Sequence, residues 1–287
     1  MRLTARVPAT AANLGPGFDC FGLALDLCNE FTVDTDAEPG ITWEGEGADE
    51  LPTDGSDMVT RAMKAVADSV EESFEPFQLH GLNRIPLERG LGSSSAAAVA
   101  GVALARAWLR LPDQMDHREL VFDAASMIEG HPDNAAAATY GGLTVVADGR
   151  VRRLEVSATI VPLVLIPSSR LSTQQARAAL TESVPREDVV FNVAHGALVI
   201  HALVTGDLEL LRTALRDRVH QAARLALIPP ARALFEELDR SFPVCVSGAG
   251  PSLLAFPEPD VRLAEPGDGW RAIRIPVRPT GVEILKR

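Results

Sequence analysis

The segment RGLGSSSAAAVAG, residues 89–101, sets two glycines and three serines directly before an alanine-rich run. Gly90 and Gly92 permit backbone dihedrals that a Cβ would obstruct, and they let main-chain amides come close to a ligand. The first amides of a helix have no intrahelical acceptors and the helix dipole attracts anions, so this bend suits an oxyanion such as phosphate. A serine-capped packing bend between a strand and a helix would use the same residues, and this segment alone leaves both interpretations open.

Three more glycine-bearing loops lie elsewhere in the chain: NLGPGFD at 13–19, HPDNAAAATYGG at 131–142 and SGAGPS at 247–252. Packing alone seldom requires so much special backbone, whereas binding loops commonly carry it. The four loops together favour a ligand site over a packing bend.

The length and composition indicate a soluble protein of two domains. At 287 residues the chain exceeds the usual size of one domain, and we predict one over 1–155 and a second over 156–287. Its 46% hydrophobic and 23% charged residues are ordinary for a globular protein, and no apolar run approaches the roughly 18 residues of a membrane span. The first residues lack the apolar core of a secretory signal. These features predict a cytoplasmic protein without a membrane partner.

The charged and sulfur-containing residues exclude several classes of function. A net charge of −12 argues against general affinity for nucleic acid. The three cysteines, Cys20, Cys28 and Cys245, have the spacing of neither a disulfide framework nor a metal site. The only lysines, Lys64 and Lys286, stand in neither a Walker-type loop nor the lysine strand of a protein kinase. Small-molecule chemistry that does not depend on lysine is the class that remains.

Hydrophobic periodicity gives a coarse map of the elements. The first 35 residues predict two extended segments around the loop at 13–19. Helices are predicted at 56–72, with Ser56 or Asp57 as the cap, and at 93–110, 117–130, 172–180, 189–207 and 208–225. Strands are predicted at 77–86, 143–148, 161–167 and on both sides of the loop at 247–252. Pro276 and Pro279 place the last segment, 271–285, at a sheet edge.

Several of these stretches match one family. The segment IPLERGLGSSSAAAVAG, led by Pro86, resembles the phosphate loop of the galactokinase, homoserine kinase, mevalonate kinase and phosphomevalonate kinase (GHMP) superfamily. VPATAANLGPGFDCFGLAL resembles the first motif of this superfamily in its homoserine kinase version, and VSGAGPSLLAF resembles the third. EGHPDNAAAATYGG, STQQAR and RDRVHQAAR are similar to homoserine kinases rather than to mevalonate or galactose kinases, with archaeal-type shikimate kinases as the group most easily confused with them.

The resemblance implies an α+β fold of two domains, an N-terminal ribosomal-protein-S5-like domain that carries the phosphate loop and a C-terminal ferredoxin-like α/β sandwich. The acceptor pocket is then expected between them. It also implies ATP-dependent phosphorylation of the L-homoserine side-chain hydroxyl to O-phospho-L-homoserine, a step of threonine biosynthesis, and a homodimer. Two alternatives stay open: a related kinase with a shikimate- or mevalonate-like acceptor, and a ligand-binding relative without turnover.

For the nucleotide, the resemblance implies that the loop after Pro86 wraps the ATP phosphates. The residues concerned are Gly90, Leu91, Gly92, Ser93, Ser94 and Ser95. Ser94 and Glu129 are the implied ligands of Mg²⁺, which takes few protein oxygens and keeps several waters. One position departs from the family, because Asp57-Met58-Val59 stands where Asn-Leu-Val or Asn-Ile-Val is usual near the nucleotide base.

For the acceptor, a zwitterionic amino acid needs a carboxylate for its ammonium and a guanidinium for its carboxylate. By resemblance, Asn13 and Asp19 contact the amino acid, and Arg177 and Arg224 hold its carboxylate. The remaining pocket residues implied in the same way are Thr173, His131, Asn134 and Gly248. Alternatively, Asn13 and Asp19 could only close turns, and the two arginines could be exposed charges on helices.

Asn134 stands where mevalonate kinases carry an aspartate. Because an amide cannot take a proton, we hypothesise that Asn134 orients the acceptor hydroxyl while catalysis depends on alignment and charge neutralisation. His131 is the other conceivable base, but a lone histidine is often only a hydrogen-bonded structural residue, and a proline follows it directly.

Overall fold

The computed structural model describes residues 1–112, 117–261 and 266–286. Its strands are β1 (Arg2–Ala12), β2 (Phe21–Asp34), β3 (Gly40–Gly45), β4 (Gln78–Asn83), β5 (Leu143–Ala147), β6 (Arg150–Leu154), β7 (Leu163–Pro167), β8 (Val244–Val246), β9 (Leu253–Ala255), β10 (Trp270–Arg274) and β11 (Glu283–Lys286). Its helices are α1 (Met58–Ser69), α2 (Ser93–Trp108), α3 (His117–Glu129), α4 (Pro132–Tyr140), α5 (Thr173–Ala178), α6 (Arg186–Thr205), α7 (Leu208–Ala214), α8 (Gln221–Ala226) and α9 (Pro229–Leu238).

Seven strands form the larger sheet, in which β11, β1, β2, β4 and β3 are neighbours in that order and the β5–β6 hairpin pairs with β2. Alternating residues of β1, such as Ala5, Val7 and Ala9, are fully buried and face a helical layer in which α2 and α4 contact β1. The smaller sheet is antiparallel, in the order β10-β7-β9-β8. It is covered by α8 and α9, which contact β8 and β9.

Small side chains bring α4 close to the first strands. Ala135 to Ala138 of this helix are fully buried, and a Cβ at Gly22 of β2 would lie 2.3 Å from the carbonyl oxygen of Asp133. The sequence-based map treated this stretch as a loop and small-residue run rather than a helix, since alanines carry no amphipathic pattern. The close approach fixes residues 131–134 beside the end of β1.

Most predicted elements are confirmed. Asp57 caps α1, since its carboxylate accepts a hydrogen bond from the Thr60 amide at 2.9 Å. The prediction of one helix over 208–225 is wrong: α7 ends at Ala214 and α8 begins at Gln221. The buried Asp217 carboxylate interrupts the helix, because it accepts bonds from the amides of Val219, His220 and Gln221. The map also missed β3, β6 and α9.

The last segment was predicted as one edge strand over 271–285, but it forms two strands, one before Pro276 and one after Pro279, that lie at the edges of different sheets. β10 is an edge of the smaller sheet, whereas β11 pairs with β1 of the larger one. Residues 283–286 thus join the sheet of the N-terminal half. The division at residue 155 stays a prediction, and this pairing crosses it.

Candidate active site

One cavity brings together the four glycine loops. Apart from Asp57, each residue that the sequence assigned to phosphate, metal or substrate lines it. These residues are Asn13, Asp19, Pro86, Gly90, Leu91, Gly92, Ser93, Ser94, Ser95, Glu129, His131, Asn134, Thr173, Arg177, Arg224 and Gly248. They come from positions up to 235 residues apart, since Asn13 Nδ2 donates to the Gly248 carbonyl oxygen at 2.8 Å.

The bend at 89–95 has the geometry that favours anions. Gly92 is the N-cap of α2 in the left-handed conformation, with φ of 70°, and no side chain caps this helix. A Cβ at Gly92 would lie 1.9 Å from Thr10 Oγ1, and one at Gly90 would lie 2.2 Å from the Ser247 carbonyl oxygen. The first amides of α2 therefore stay without a side-chain acceptor at the cavity wall.

The bend is held by neighbours that the sequence did not single out. The Thr10 amide donates to the Leu91 carbonyl oxygen at 3.0 Å. The Ser247 hydroxyl donates to the Gly90 carbonyl oxygen at 2.8 Å. The end of β1 and the loop at 247–252 thus hold the bend from two sides. The Ser247 hydroxyl inside a glycine motif was a sequence signal for the second contact, whereas the backbone contact of Thr10 had none.

Glu129 lies at the end of α3 with its side chain largely buried. Its Oε1 is 2.9 Å from His131 Nδ1, while Oε2 is buried and has no hydrogen-bond partner in the part of the chain that the structure describes. The bond to Glu129 raises the pKa of His131. Among the described residues no group of three or more His, Cys, Asp or Glu could hold a metal ion. An orphaned carboxylate oxygen in the same cavity as the Ser94 hydroxyl nevertheless suits Mg²⁺, which needs only one or two protein oxygens beside phosphate.

Asn134 is fixed in orientation on both sides of its amide. Thr10 Oγ1 donates to Asn134 Oδ1 at 2.7 Å. Asp133 Oδ1 accepts from the Asn134 backbone amide at 2.8 Å and from Asn134 Nδ2 at 3.3 Å. The side chain therefore presents one fixed face to the cavity.

Asp133 is a cavity residue that the sequence reading missed. It is 2% exposed, and this burial raises the pKa of its carboxyl from 3.8 to about 6, with the Asp19 charge adding to the rise. The only sequence signal was its place inside the HPDN stretch. A buried carboxyl in a ligand cavity is a common sign of a functional position.

We expect Asp133→Asn to change how stability depends on pH. Because the pKa of Asp133 is raised in the fold, the folded state binds more protons than the unfolded chain between pH 3.8 and about 6, and stability falls as pH rises through this window. The full shift corresponds to roughly 3 kcal/mol. Between pH 4.5 and 7.5, urea unfolding should show that the wild type loses about 2 kcal/mol of this stability relative to Asp133→Asn, because at pH 4.5 only part of the full increment is present. Equal pH slopes for the two proteins would contradict the assignment.

A group of charged side chains in the same cavity is of the kind expected for an amino-acid ligand. Arg177 donates to both carboxylate oxygens of Asp19, at 2.7 and 3.1 Å. Arg224 is 3% exposed, which excludes the alternative that it is an exposed helix charge. Its Nη1 donates to the Gly248 carbonyl oxygen at 2.7 Å, and its Nε is buried without a partner among the described residues. Burial lowers the pKa of Arg224 to about 10, so the group remains a cation at neutral pH.

The turn that Asn13 was expected to close is present as well. Asn13 Oδ1 accepts from the Asp19 amide at 3.0 Å, and both residues have positive φ, 70° and 55°. Because Asn13 Nδ2 also reaches Gly248, the residue both closes its own loop and connects it to the loop at 247–252. Loop closure and placement in the cavity are thus not alternatives.

Asp57 lies in a second cavity, which adjoins the first at Glu88, Ser93 and Ser94. Its other walls are mostly apolar and include Phe31, Trp43, Leu51, Val59 and Leu87. Two polar atoms on its wall are buried without partners in the described residues: Asp57 Oδ2, an acceptor, and Asn83 Nδ2, a donor. A flat apolar ring with one donor and one acceptor would complement this cavity.

Two family models and many known proteins match this chain. Residues 57–142 match the model of the GHMP kinases N-terminal domain, and residues 199–266 match that of the GHMP kinases C-terminal domain. The chain is 44% identical over 270 residues to the homoserine kinase of Clavibacter michiganensis, covering 91% of this chain and 85% of the relative. The chain belongs to the homoserine kinase family of the GHMP kinases.

Other relatives agree with this assignment. The homoserine kinase of Streptomyces coelicolor is 40% identical over 98% of this chain and 93% of its own length. The crystal structure of homoserine kinase from Cytophaga hutchinsonii superposes with a TM-score of 0.81 at 22% identity, covering 99% of this chain and 97% of that one, and so shares the fold. The predicted α+β fold of the GHMP kinases is confirmed. A kinase of this family takes ATP as its phosphoryl donor.

Proposed function

We propose that the chain transfers the γ-phosphoryl group of ATP to the side-chain hydroxyl of L-homoserine and releases ADP and O-phospho-L-homoserine, as a step in threonine biosynthesis. The observation that carries the proposal is a single cavity that joins an uncapped helix start to a cluster of Asp19, Arg177 and Arg224. The first feature suits a polyphosphate and the second suits an amino acid. The relatives named as homoserine kinases give the acceptor its identity.

The phosphate bend would hold the triphosphate along the first amides of α2. Ser94 and Glu129 Oε2, which has no partner among the described residues, would hold Mg²⁺. When bound, the ion neutralises charge on the phosphoryl oxygens. The hydrogen bond between Glu129 Oε1 and His131 Nδ1 would keep the carboxylate from turning away.

The amino acid would replace one ion pair by two. In the structure the Asp19 and Arg177 side chains satisfy each other. A zwitterionic ligand between them would give its ammonium to Asp19. Its carboxylate would go to Arg177 and to Arg224 Nε, which has no partner in the part of the chain that the structure describes. Phe18 underlies both guanidinium groups, at 5.8 and 5.3 Å from its ring centroid, and limits where they can move. Thr173, His131 and the Gly248 loop would enclose the rest of the ligand.

The acceptor hydroxyl would be oriented by Asn134, whose amide is already fixed by Thr10 and Asp133. Asn134 does not take the proton. Alignment with the γ-phosphorus and the surrounding charges lower the barrier, because a loose phosphoryl-transfer transition state needs little help from a base.

We expect Asn134→Asp to lower kcat by about tenfold or more. A carboxylate beside Asp133 adds negative charge where the transferred phosphoryl group is already anionic, and it would lose the Nδ2 bond to Asp133. Steady-state kinetics between pH 6 and 9 tests this. A large gain in kcat with a new ionisation in the pH profile would show instead that the reaction benefits from a base.

The nucleotide base would occupy the second cavity, with Asp57 Oδ2 accepting from an exocyclic amine and Asn83 Nδ2 donating to a ring nitrogen. Asp57 would therefore contribute an acceptor where an asparagine at this position can also donate. ATP remains the phosphoryl donor that the family implies. The Asp57 carboxylate would affect which nucleotide base the second cavity prefers.

The experiment that tests the proposal is a coupled ADP-release assay on the purified protein with ATP and Mg²⁺, using homoserine, shikimate and mevalonate as acceptors. We expect turnover with homoserine and O-phosphohomoserine as the product identified by mass spectrometry. Turnover with another acceptor alone would support the related-kinase alternative. Calorimetric binding of homoserine without ADP release would support the alternative of a relative that only binds its ligand.

We also propose that the enzyme is a cytoplasmic homodimer without nucleic-acid or membrane partners. The long helix α6 leaves large apolar side chains exposed, namely Val189, Val190, Val193, Leu198 and Val204, and a second copy could cover them. Within the described residues α6 alone is long and apolar enough to cross a membrane by length and composition, with 28% of its apolar window buried. Sedimentation equilibrium of the detergent-free protein would decide between dimer and monomer.

A further inference from the structure

The imidazole of His220 lies behind Arg224 and has no part in the chemistry described above. Its side chain is fully buried, at the N-cap of the short helix α8. His220 Nε2 is 2.7 Å from the Gly15 carbonyl oxygen, and Nδ1 is 3.1 Å from Arg224 Nη1. The ring thus joins the first glycine loop to the arginine of the cavity.

These partners determine which nitrogen carries the proton. A carbonyl oxygen only accepts hydrogen bonds, so Nε2 is the protonated nitrogen and Nδ1 offers its lone pair to the guanidinium. A doubly protonated ring would direct an N–H at the cation. Burial, with the charge of Arg224, lowers the pKa of His220 to about 4, against the opposing effect of Asp217 at 3.9 Å. The neutral ring is therefore the form present at neutral pH.

The bond from Arg224 to His220 fixes one edge of the guanidinium. Nη1 is bound both by His220 Nδ1 and by the Gly248 carbonyl oxygen, while Nε has no partner among the described residues. The ring of Phe18 stacks on His220 at a centroid distance of 5.3 Å and lies under Arg224. With Nη1 occupied and one face covered, the guanidinium has a single orientation for a ligand carboxylate.

His220 is itself held rigidly. Asp217 accepts a hydrogen bond from the His220 amide at 2.8 Å, and the Arg224 amide donates to the His220 carbonyl oxygen at 3.1 Å. His220 and Arg224 are four residues apart at the start of α8, a spacing at which helical side chains face each other. The break between α7 and α8 at Asp217 is what places His220 at this point.

We propose that His220 is a positioning residue: its neutral Nδ1 orients Arg224 to bind the carboxylate of the amino-acid substrate. The proposal rests on the proposed function, because it assumes that Arg224 receives that carboxylate. The competing role is structural, in which the bond from Nε2 to Gly15 merely joins the loop to α8. The two roles use different nitrogens of the ring.

Two substitutions separate these roles. The side-chain oxygen of His220→Asn lies close to the position of Nδ1, so it retains an acceptor for Arg224 and loses the donor to Gly15. The amide nitrogen of His220→Gln reaches the position of Nε2, so it retains the donor to Gly15 and loses the acceptor for Arg224. His80→Gln is the matched control, since His80 lies on β4 outside both cavities and bonds to Thr42.

We expect His220→Gln to raise the KM for homoserine by about tenfold or more, with the KM for ATP within about twofold of wild type, because a charge-assisted hydrogen bond is lost. His220→Asn should stay within about threefold of wild type. With 3-aminopropan-1-ol, which is homoserine without its carboxyl group, neither variant should change KM. The melting temperatures of all variants show whether a change in KM is accompanied by a loss of stability.

The reverse ranking, with Asn more harmful than Gln, would overturn the proposal, as would an equal rise in KM for 3-aminopropan-1-ol or for ATP. If His220→Gln does not fold, a KM for homoserine raised more than tenfold in His220→Asn alone overturns it, and a KM near wild type supports it. The proposed function fails separately, by absence of O-phosphohomoserine from the wild-type reaction.

Discussion

Gly92→Ala should reduce kcat/KM by about a thousandfold. The added methyl group would lie 1.9 Å from Thr10 Oγ1 and 3.2 Å from Asn134 Oδ1, and φ is +70°, where L side chains are strained. The bend cannot give way without losing the bond between the Thr10 amide and Leu91, so both the phosphate amides and the orientation of Asn134 should change. A misplacement of about 1 Å in a transfer reaction already lowers the rate about a hundredfold.

Gly149→Ala is the control for backbone strain alone. Gly149, in the turn between β5 and β6, also has φ of +70°, and a Cβ added there would have no other atom within 4 Å. Both variants should lose on the order of 1 kcal/mol of stability from strain, but Gly149→Ala should keep its activity. Steady-state kinetics and urea unfolding of the two proteins test this. Activity of Gly92→Ala within tenfold of wild type would show that the bend is not a phosphate site.

Glu129→Gln should lower kcat by a factor of about a hundred to ten thousand, with the KM for homoserine nearly unchanged. The amide keeps the volume of the side chain but removes the charge of the buried Oε2, which has no partner among the described residues. Metal-assisted neutralisation contributes several kcal/mol to such transfers. Raising the Mg²⁺ concentration should restore part of the activity, since the loss is one of metal affinity.

Glu119→Gln, in the first turn of the same helix α3, is the matched control and should behave as wild type. The measurement is kcat as a function of Mg²⁺ concentration for the three proteins. If Glu129→Gln has the Mg²⁺ dependence and kcat of wild type, the carboxylate has no part in metal binding, and its contact with His131 is its only role.

Much of the fold was open to prediction because local patterns fix local elements. The helix α1, the helix behind the serines and the strands on both sides of the loop at 247–252 all follow from hydrophobic periodicity and turn residues. The break at Asp217 could not be predicted from local patterns, because the surrounding residues continue a helical pattern. Only a buried carboxylate that accepts hydrogen bonds from three amides interrupts the helix. Helix α4 could not be predicted from periodicity either, because its alanines carry no amphipathic signal.

The amino-acid sequence by itself determined the residue types of the site: the glycines that open the bend, the carboxylates, and arginines in place of lysine. Only the tertiary structure decided that Asp133 is buried and protonates near pH 6, that Arg177 and Asp19 satisfy each other, and that His220 lies behind Arg224. The reason is physical. Backbone preferences depend on a few neighbouring residues, whereas burial, ion pairing and the protonated nitrogen of an imidazole depend on groups that only long-range packing brings together.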